Sequence, residues 1–117
     1  MDQMYRIAII GAGNMGGAVA LGLKHSSGDI PLTVTAAHSE TLEKYATLGI
    51  DTTLDNVSAA QGANVVILGV KPWIVQSVLS EIAPVLSGKV LLSLAAGIPV
   101  AQMAQWLSGT GVKAAYT

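Results

Sequence analysis

Three glycines near the amino terminus have a spacing that suits nucleotide chemistry. Residues 10–16 read IGAGNMG, which places Gly11, Gly13 and Gly16 in a GxGxxG pattern. Between a strand and a helix, the first glycine permits the bend, the second lets the backbone approach a pyrophosphate, and the third allows close helix packing. The pyrophosphate would lie at the positive end of the helix. A tight turn without a ligand is the alternative, but the strand before the motif and the helix after it favour dinucleotide binding.

The residues that follow the second predicted strand bear on the choice of cofactor. In domains that bind NAD, an acidic residue about 20 positions beyond the glycines accepts the ribose 2′-OH. This chain instead has Ala36, Ala37, His38 and Ser39 there. A carboxylate would repel a 2′-phosphate, whereas His38, the Ser39 hydroxyl and the N–H groups of the next helix could receive it. We therefore expect NADP to be favoured over NAD. Alternatively, His38 is an exposed loop residue and Ser39 only caps a helix.

The other reactive residue types form no catalytic or metal-binding constellation. The chain has no cysteine, which excludes disulfides, thiolate metal sites and a cysteine nucleophile. Neither His25 nor His38 has a carboxylate at ligand spacing, so we expect no metal. His25 falls at the far end of the first predicted helix and is interpreted as structural. We predict no catalytic side chain in this chain, because a nicotinamide cofactor carries the hydride chemistry itself.

Composition limits the partners of the chain. Of its 117 residues, 51% are hydrophobic and 11% are charged, and the formal net charge is −1. This balance gives no electrostatic footprint for nucleic acid. No apolar run approaches the ~20 residues of a membrane span, and the first residues do not resemble a signal peptide. We therefore expect a cytoplasmic protein with a small-molecule substrate and with neither a nucleic-acid nor a membrane partner.

The elements that must position these residues alternate between short apolar runs and amphipathic stretches, a pattern typical of βαβ units. Strands are predicted at 5–10, 32–36, 51–53, 65–70, 90–94 and 112–116. Helices are predicted to start at Asn14, Ser39 (as the cap), Asp55, Pro72 and Pro99. Their predicted inward positions are Met15, Ala18, Val19, Gly22 and Leu23, then Leu42, Tyr45 and Ala46, then Val75, Val78, Leu79 and Ile82, and finally Val100, Met103, Ala104 and Leu107. The prediction is an α/β Rossmann-type domain over residues 1–117, doubly wound, with a mainly parallel sheet and helices on both faces.

Four segments spread along the chain form a distinctive combination of motifs. Residues 10–18 read IGAGNMGGA, residues 54–56 read LDN, residues 66–72 read VILGVKP and residues 93–98 read SLAAGI. Together they resemble pyrroline-5-carboxylate reductases, and the resemblance covers nearly the whole chain. The β-hydroxyacid dehydrogenases are the second choice, because their opening is usually GLGxMG.

The resemblance implies an activity and a set of cofactor contacts. Members of the family use NADPH or NADH to reduce the C=N bond of 1-pyrroline-5-carboxylate to proline. The implied pyrophosphate loop is Gly11, Ala12, Gly13, Asn14 and Met15. Asn56 would contact the adenosine side; Val70, Lys71 and Pro72 would line the groove over the ribose and nicotinamide; Ala95, Ala96 and Gly97 would border the nicotinamide end. Asn56 could instead only start a helix, Lys71 could contribute only its backbone, and the three small residues could reflect a crowded turn.

The family continues with an all-helical domain that makes the homo-oligomer and supplies substrate groups, whereas this chain stops at Thr117. We therefore expect the cofactor domain of an imine reductase, incomplete for catalysis alone. The alternatives are a non-catalytic nucleotide sensor or the cofactor domain of a β-hydroxyacid dehydrogenase-like enzyme. Ala37 departs from the family, which commonly has a polar or charged residue there, and this bears on the choice of cofactor.

Overall fold

A computed structural model describes residues 6–26, 31–86, 88–94, 100–107 and 115–116. The strands within these residues are β1 (Ile7–Ile10), β2 (Leu32–Thr35), β3 (Asp51–Thr53), β4 (Val65–Leu68), β5 (Val90–Ser93) and β6 (Ala115–Tyr116). The helices are α1 (Asn14–Ser26), α2 (Ser39–Ala46), α3 (Asn56–Gln61), α4 (Pro72–Ile82) and α5 (Val100–Leu107), with a 3-10 turn at Ala83–Val85. The predicted order of strands and helices is confirmed.

The strands form one sheet in the order β3-β2-β1-β4-β5-β6, and every neighbouring pair is parallel. Ile7 pairs with Leu32 of β2 on one side and with Val65 of β4 on the other. The chain thus winds outward from β1 in both directions, as in the expected doubly wound fold. The strand order reverses between β1 and β4, and ligands of such folds bind beyond the carboxyl ends of the strands at this switch point.

Buried side chains form two apolar clusters, because alternate residues of each strand point to opposite faces of the sheet. Ile9, Val34 and Ile67 belong to the cluster that includes residues of α1 and α2. Ala8 and Leu68 belong to the cluster that includes residues of α3, α4 and α5. The helices therefore cover both faces, and the carboxyl ends of the strands form a rim between the two layers.

The predicted inward faces of the helices are confirmed in some places and wrong in others. All four predicted positions of α4 are buried, as is Met103 of α5. In α2, Leu42 and Tyr45 are buried, but Ala46 is exposed. Leu42 and Tyr45 lie one turn apart on the buried face, and Ala46 falls beyond its edge.

The inward face of α1 differs more from the prediction. Val19 and Leu23 pack against the cluster as predicted, but Ala18 and Gly22 are exposed, whereas Gly16, Gly17 and Ala20 are buried. Periodicity alone favours larger side chains, but the start of α1 approaches its neighbours so closely that a Cβ on Gly16 would lie 2.2 Å from the Gly11 carbonyl oxygen and one on Gly17 2.1 Å from Tyr45 Oη. The closeness of this approach selects the smallest residues for the inner face.

The predicted starts of α3 and α4 are confirmed by the structure, whereas the predicted cap of α2 is wrong. Asp55 caps α3, since its Oδ1 accepts from the backbone N–H of Val57 at 3.0 Å and of Ser58 at 3.2 Å. Pro72 is the first residue of α4. Ser39 was the predicted cap of α2, but the capping position belongs to His38, whose backbone is extended at φ −132° and ψ 140°. Ser39 is already helical, so its hydroxyl does not cap α2.

Lys89 joins the start of β5 to the end of α3. Its Nζ donates to the carbonyl oxygens of Gln61, at 3.0 Å, and of Ala63. Desolvation by partial burial lowers the pKa of the Lys89 ammonium. The Lys89 side chain thus satisfies the carbonyl of the last residue of the short helix, which has no intrahelical donor, and a second carbonyl just beyond it.

Candidate functional site

A glycine bend joins β1 to α1 at the switch point of the sheet. Gly11 has φ +95°, a backbone conformation that costs glycine little and other residues much more. The backbone N–H groups of Gly11 and Ala12 both donate to the Thr35 carbonyl oxygen, at 3.2 and 2.7 Å. These two bonds fix the bend against the carboxyl end of β2.

Backbone atoms from three segments come into direct contact at this bend. A Cβ atom on Gly16 would lie 2.2 Å from the Gly11 carbonyl oxygen. A Cβ atom on Gly69, just after β4, would lie 2.7 Å from the same oxygen and 2.8 Å from the Gly16 Cα. We call Gly11, Gly16 and Gly69 the glycine contact. It excludes side chains at all three positions, because real Cβ atoms essentially never approach other atoms so closely.

Gly13 differs from the glycine contact because the space for a side chain is open. It is exposed, and the nearest atom to a Cβ placed there is the Gly69 carbonyl oxygen at 3.8 Å, an ordinary van der Waals distance. The protein itself would therefore tolerate alanine at this position. Packing does not explain the glycine, whereas room for a ligand against the backbone does.

Two neighbouring cavities lie beside the bend, at the carboxyl ends of β1, β2 and β4. The first holds about 240 Å³ and is lined by Gly11, Ala12, Gly13, Ala36, Ala37, His38, Thr41, Gly69, Val70, Lys71 and Ile74. The second holds about 220 Å³ and is lined by Gly11, Thr35, Ala36, Ala37, Leu54, Asn56, Val70, Ile74 and Val78. We call them the bend cavity and the Asn56 cavity. A larger cavity of about 380 Å³ lies at the opposite edge, near Arg6 and Pro31, away from the glycine motif.

The polar groups around the bend cavity suit an anionic ligand. The described residues that line it include no carboxylate, while Lys71 and His38 are exposed at its rim. The first backbone N–H groups of α1 have no acceptor within their own helix and carry partial positive charge. A pyrophosphate at this position would meet N–H donors and the Lys71 ammonium together.

Asn56 lies on the wall of the Asn56 cavity and is hydrogen-bonded to the protein through both the oxygen and the nitrogen of its amide. The Thr35 hydroxyl donates to Asn56 Oδ1 at 2.6 Å, and Asn56 Nδ2 donates to Glu81 Oε1 at 3.1 Å. A primary amide has two donor hydrogens and two acceptor sites, so Asn56 retains one of each for a ligand. Asn56 is thus more than a residue that starts a helix.

The structure brings together most, but not all, of the residues chosen from sequence. Six of them line the bend cavity: Gly11, Ala12, Gly13, His38, Val70 and Lys71. Gly16 lies buried behind the bend, and Asn14 and Met15 form the first turn of α1. Ser39 and Pro72 line neither cavity beside the bend. Ala95, Ala96 and Gly97 lie outside the described residues.

Sequence reasoning missed several residues of this site, among them Ile74, which lines both cavities, and three that bring a backbone contact or a hydroxyl to it. Gly69 belongs to the glycine contact, and Thr35 is the buried polar residue at the end of β2, with 1% of its surface exposed. Thr41 brings a hydroxyl to the bend cavity. Two signals were available: a glycine directly after the most apolar run, and a threonine that ends a buried strand.

The tryptophans differ in environment. Trp106 packs against the cluster beneath α4, whereas Trp73 is 78% exposed at the start of α4. Neither lines the two cavities beside the bend. Across the described ranges, no group of three His, Cys, Asp or Glu residues could hold a metal ion. None of the helices described above is long and apolar enough to cross a membrane.

Comparison with known proteins identifies relatives of this fold and site. A pyrroline-5-carboxylate reductase from Pseudomonas aeruginosa is 37% identical over 107 residues, which cover 87% of this chain and 38% of that protein. The solved structure of a pyrroline-5-carboxylate reductase from Coxiella burnetii matches with a TM-score of 0.85 and 32% identity, over 92% of this chain and 41% of that one. That of Plasmodium falciparum pyrroline carboxylate reductase, with NADP bound, matches with a TM-score of 0.78 and 24% identity, over 97% and 42%.

These comparisons confirm the resemblance inferred from the motifs, and the chain spans about two fifths of the length of each of these relatives. A family profile described as "NADP oxidoreductase coenzyme F420-dependent" matches residues 6–97. That match runs from the start of β1 to the segment after β5 and includes the glycine bend and both cavities beside it. The chain therefore belongs to the NADP oxidoreductase coenzyme F420-dependent family.

Proposed function

We propose that residues 1–117 form the cofactor-binding domain of an NAD(P)H-dependent imine reductase that converts 1-pyrroline-5-carboxylate to proline. The observation that carries this proposal is the open space at Gly13, which faces a cavity at the switch point while its neighbours in the motif are packed against backbone. The proposed occupant is the pyrophosphate of a nicotinamide dinucleotide. The sequence motifs and the pyrroline-5-carboxylate reductases among the relatives support this substrate.

The chain's own residues would bind and orient the cofactor. The N–H groups at the start of α1 would receive the pyrophosphate, with Gly13 leaving room for it. Asn56 would offer its remaining donor and acceptor to the adenosine side, and Val70 and Lys71 would line the groove toward the nicotinamide. When bound, the reduced nicotinamide supplies the hydride to the imine carbon. Orientation by these residues is the contribution of this domain to the reaction rate.

We propose that the domain prefers NADP to NAD. Ala36 and Ala37 place no carboxylate beside the bend cavity, so a 2′-phosphate meets no like charge there. His38 and Thr41 both line the cavity and supply an imidazole and a hydroxyl to receive it. Ser39, which sequence analysis included in this role, does not line the cavity. The proposed 2′-phosphate site therefore moves from Ser39 to Thr41.

We also propose that imine reduction needs a helical domain of the kind found in pyrroline-5-carboxylate reductases. In our proposal that domain forms the homo-oligomer, contacts the imino acid and closes the groove against water. The pyrroline-5-carboxylate reductases matched above are more than twice as long as this chain, which leaves room for such a domain in them.

Titration of the purified chain with NADPH and NADH by calorimetry tests the proposal. We expect NADPH to bind, and we expect Gly13→Val to abolish binding without loss of the folded circular dichroism spectrum, because the added side chain fills the bend cavity. Gly22→Val, on the exposed face of α1, is the matched control and should bind like the parent chain. Undiminished binding by Gly13→Val, or no binding of either nucleotide at millimolar concentration, would contradict the assignment.

Assays of imine reduction separate the remaining alternatives. With the helical domain of a relative supplied, the domain should reduce 1-pyrroline-5-carboxylate. Binding without reduction of any imine would favour a nucleotide sensor, and reaction with β-hydroxyacids instead would favour the dehydrogenase alternative. Reduction by this chain alone would overturn the proposed need for a helical domain.

A further inference from the structure

We infer that Glu81 is a positioning residue for the glycine bend, acting through Asn56 and Thr35. This inference rests on the proposed function for its effect on cofactor affinity, but its structural part is independent of any ligand. Glu81 is exposed on α4 and lines neither cavity beside the bend. Any effect of this side chain on the bend must therefore pass through the residues between them.

Three hydrogen bonds connect Glu81 to the bend. Asn56 Nδ2 donates to Glu81 Oε1 at 3.1 Å, and the Thr35 hydroxyl donates to Asn56 Oδ1 at 2.6 Å. The Gly11 backbone N–H in turn donates to Thr35 Oγ1 at 3.1 Å. This series of hydrogen bonds joins α4, α3, β2 and the bend, and each bond connects residues more than 20 positions apart in sequence.

The carboxylate of Glu81 sets which group donates and which accepts in each of these hydrogen bonds. An ionised carboxylate only accepts hydrogen bonds, so Asn56 must present its NH₂ group to Glu81 and its oxygen to Thr35. That oxygen takes the proton of the Thr35 hydroxyl, which leaves the hydroxyl lone pairs for the Gly11 N–H. The three N–H or O–H groups that form these hydrogen bonds then each have an acceptor, and Asn56 keeps its second Nδ2 hydrogen.

Loss of Glu81 removes the group that fixes these donor and acceptor roles. The Asn56 amide could then turn its NH₂ group toward Thr35, and the hydroxyl would have to accept from Asn56 as well as from Gly11. Thr35 is almost completely buried, and unsatisfied or misdirected hydrogen bonds are costly at buried sites. The Gly11 N–H would keep only the Thr35 carbonyl, at 3.2 Å, as its firm acceptor. The bend would then be held less tightly.

The first test follows the Gly11 amide by nitrogen-15 NMR in the chain without ligand. We expect Glu81→Ala to shift the Gly11 amide resonance and to speed its hydrogen exchange, by about fivefold if one net hydrogen bond is weakened. Glu81→Gln keeps an oxygen acceptor but can also present its NH₂ group to Asn56, so it should restore the parent spectrum at Gly11 only in part. Glu43→Ala, an exposed glutamate on α2, is the matched control and should leave Gly11 unchanged. An unchanged Gly11 amide in Glu81→Ala would overturn the inference.

The second test measures NADPH affinity in the same proteins. Glu81→Ala should weaken binding about fivefold, and Glu81→Gln should stay within about twofold of the parent chain. Thr35→Val removes the hydroxyl that links Asn56 to Gly11, so adding Glu81→Ala to this variant should change the NADPH affinity little further. Additive losses in the double variant would overturn the proposed route through Thr35. Failure of the parent chain to bind NADPH would refute the proposed function. The Gly11 amide resonance and its hydrogen exchange would still decide the role of Glu81.

Discussion

The glycine contact makes a sharp prediction for the substitution Gly16→Ala. The new Cβ would lie 2.2 Å from the Gly11 carbonyl oxygen and 3.3 Å from Ile9 Cγ2. The oxygen belongs to the backbone of the bend, so it cannot move away by changing a rotamer. The start of α1 must instead move outward by roughly 1 Å to reach an ordinary contact distance.

The net cost follows from two opposing effects. Overpacking of this kind costs about 3 kcal/mol, the upper end of the usual range, because a backbone atom is the obstacle. Alanine in place of glycine inside a helix returns about 1 kcal/mol. We therefore expect a net loss of about 2 kcal/mol in the free energy of unfolding. For a domain of this size that corresponds to a fall of about 8 °C in Tm.

Urea and thermal unfolding followed by circular dichroism measure this loss. Gly22→Ala is the matched control, because Gly22 lies in the same helix and a Cβ at this position would meet no atom within 4 Å. It should raise the free energy of unfolding by about 0.5–1 kcal/mol. Gly13→Ala should leave the stability nearly unchanged, since its Cβ meets only an ordinary contact at 3.8 Å. A Gly16→Ala protein as stable as Gly22→Ala would refute the reasoning.

Further predictions concern the neighbours of the bend and the edge of the sheet. Gly17→Ala places a Cβ 2.1 Å from Tyr45 Oη, so it should destabilise the chain, and Tyr45→Phe in the same protein should recover part of the loss in thermal unfolding. Ala37→Asp should lower NADPH affinity about tenfold relative to NADH, and an unchanged ratio in parallel titrations would mean that the 2′-phosphate lies elsewhere. Lys89→Met should cost about 1–2 kcal/mol in urea unfolding by removing two hydrogen bonds to carbonyls. Because burial lowers the pKa of Lys89, the folded state binds fewer protons just below pH 10.5, so this group's contribution to stability rises with pH there and should vanish in Lys89→Met.

Much of the fold could be predicted from local patterns in the sequence. Apolar runs placed the strands, Pro72 and Asp55 placed two helix starts, and the first three glycines placed the bend. These signals work because each depends on a residue's own backbone or on neighbours close in sequence. The failures at Ala18, Gly22 and Ala46 arise where the depth of a helix against the sheet, which periodicity does not encode, decides which face is buried.

The finer geometry of the site depends on residues that are far apart in the chain. Gly69 meets the bend only because β4 lies next to β1 in the sheet. The path from Glu81 to Gly11 likewise needs three elements in their final positions. At Ser39, a shift of the helix boundary by one residue was enough to move the capping position to His38. Local signals can mark residues such as Gly69 and Thr35, but tertiary packing decides which residues they meet, and the sequence nearby does not name these partners.

The glycine contact has a consequence for how this site can diversify. At Gly11, Gly16 and Gly69 the backbones of different segments are in contact, so a change of side chain elsewhere cannot widen or tighten this floor of the bend cavity. The opposite wall, from Ala36 to Thr41, carries partly or fully exposed side chains that can be replaced without disturbing the sheet. A lineage could therefore switch between the two nicotinamide coenzymes by altering that wall alone while inheriting the floor unchanged.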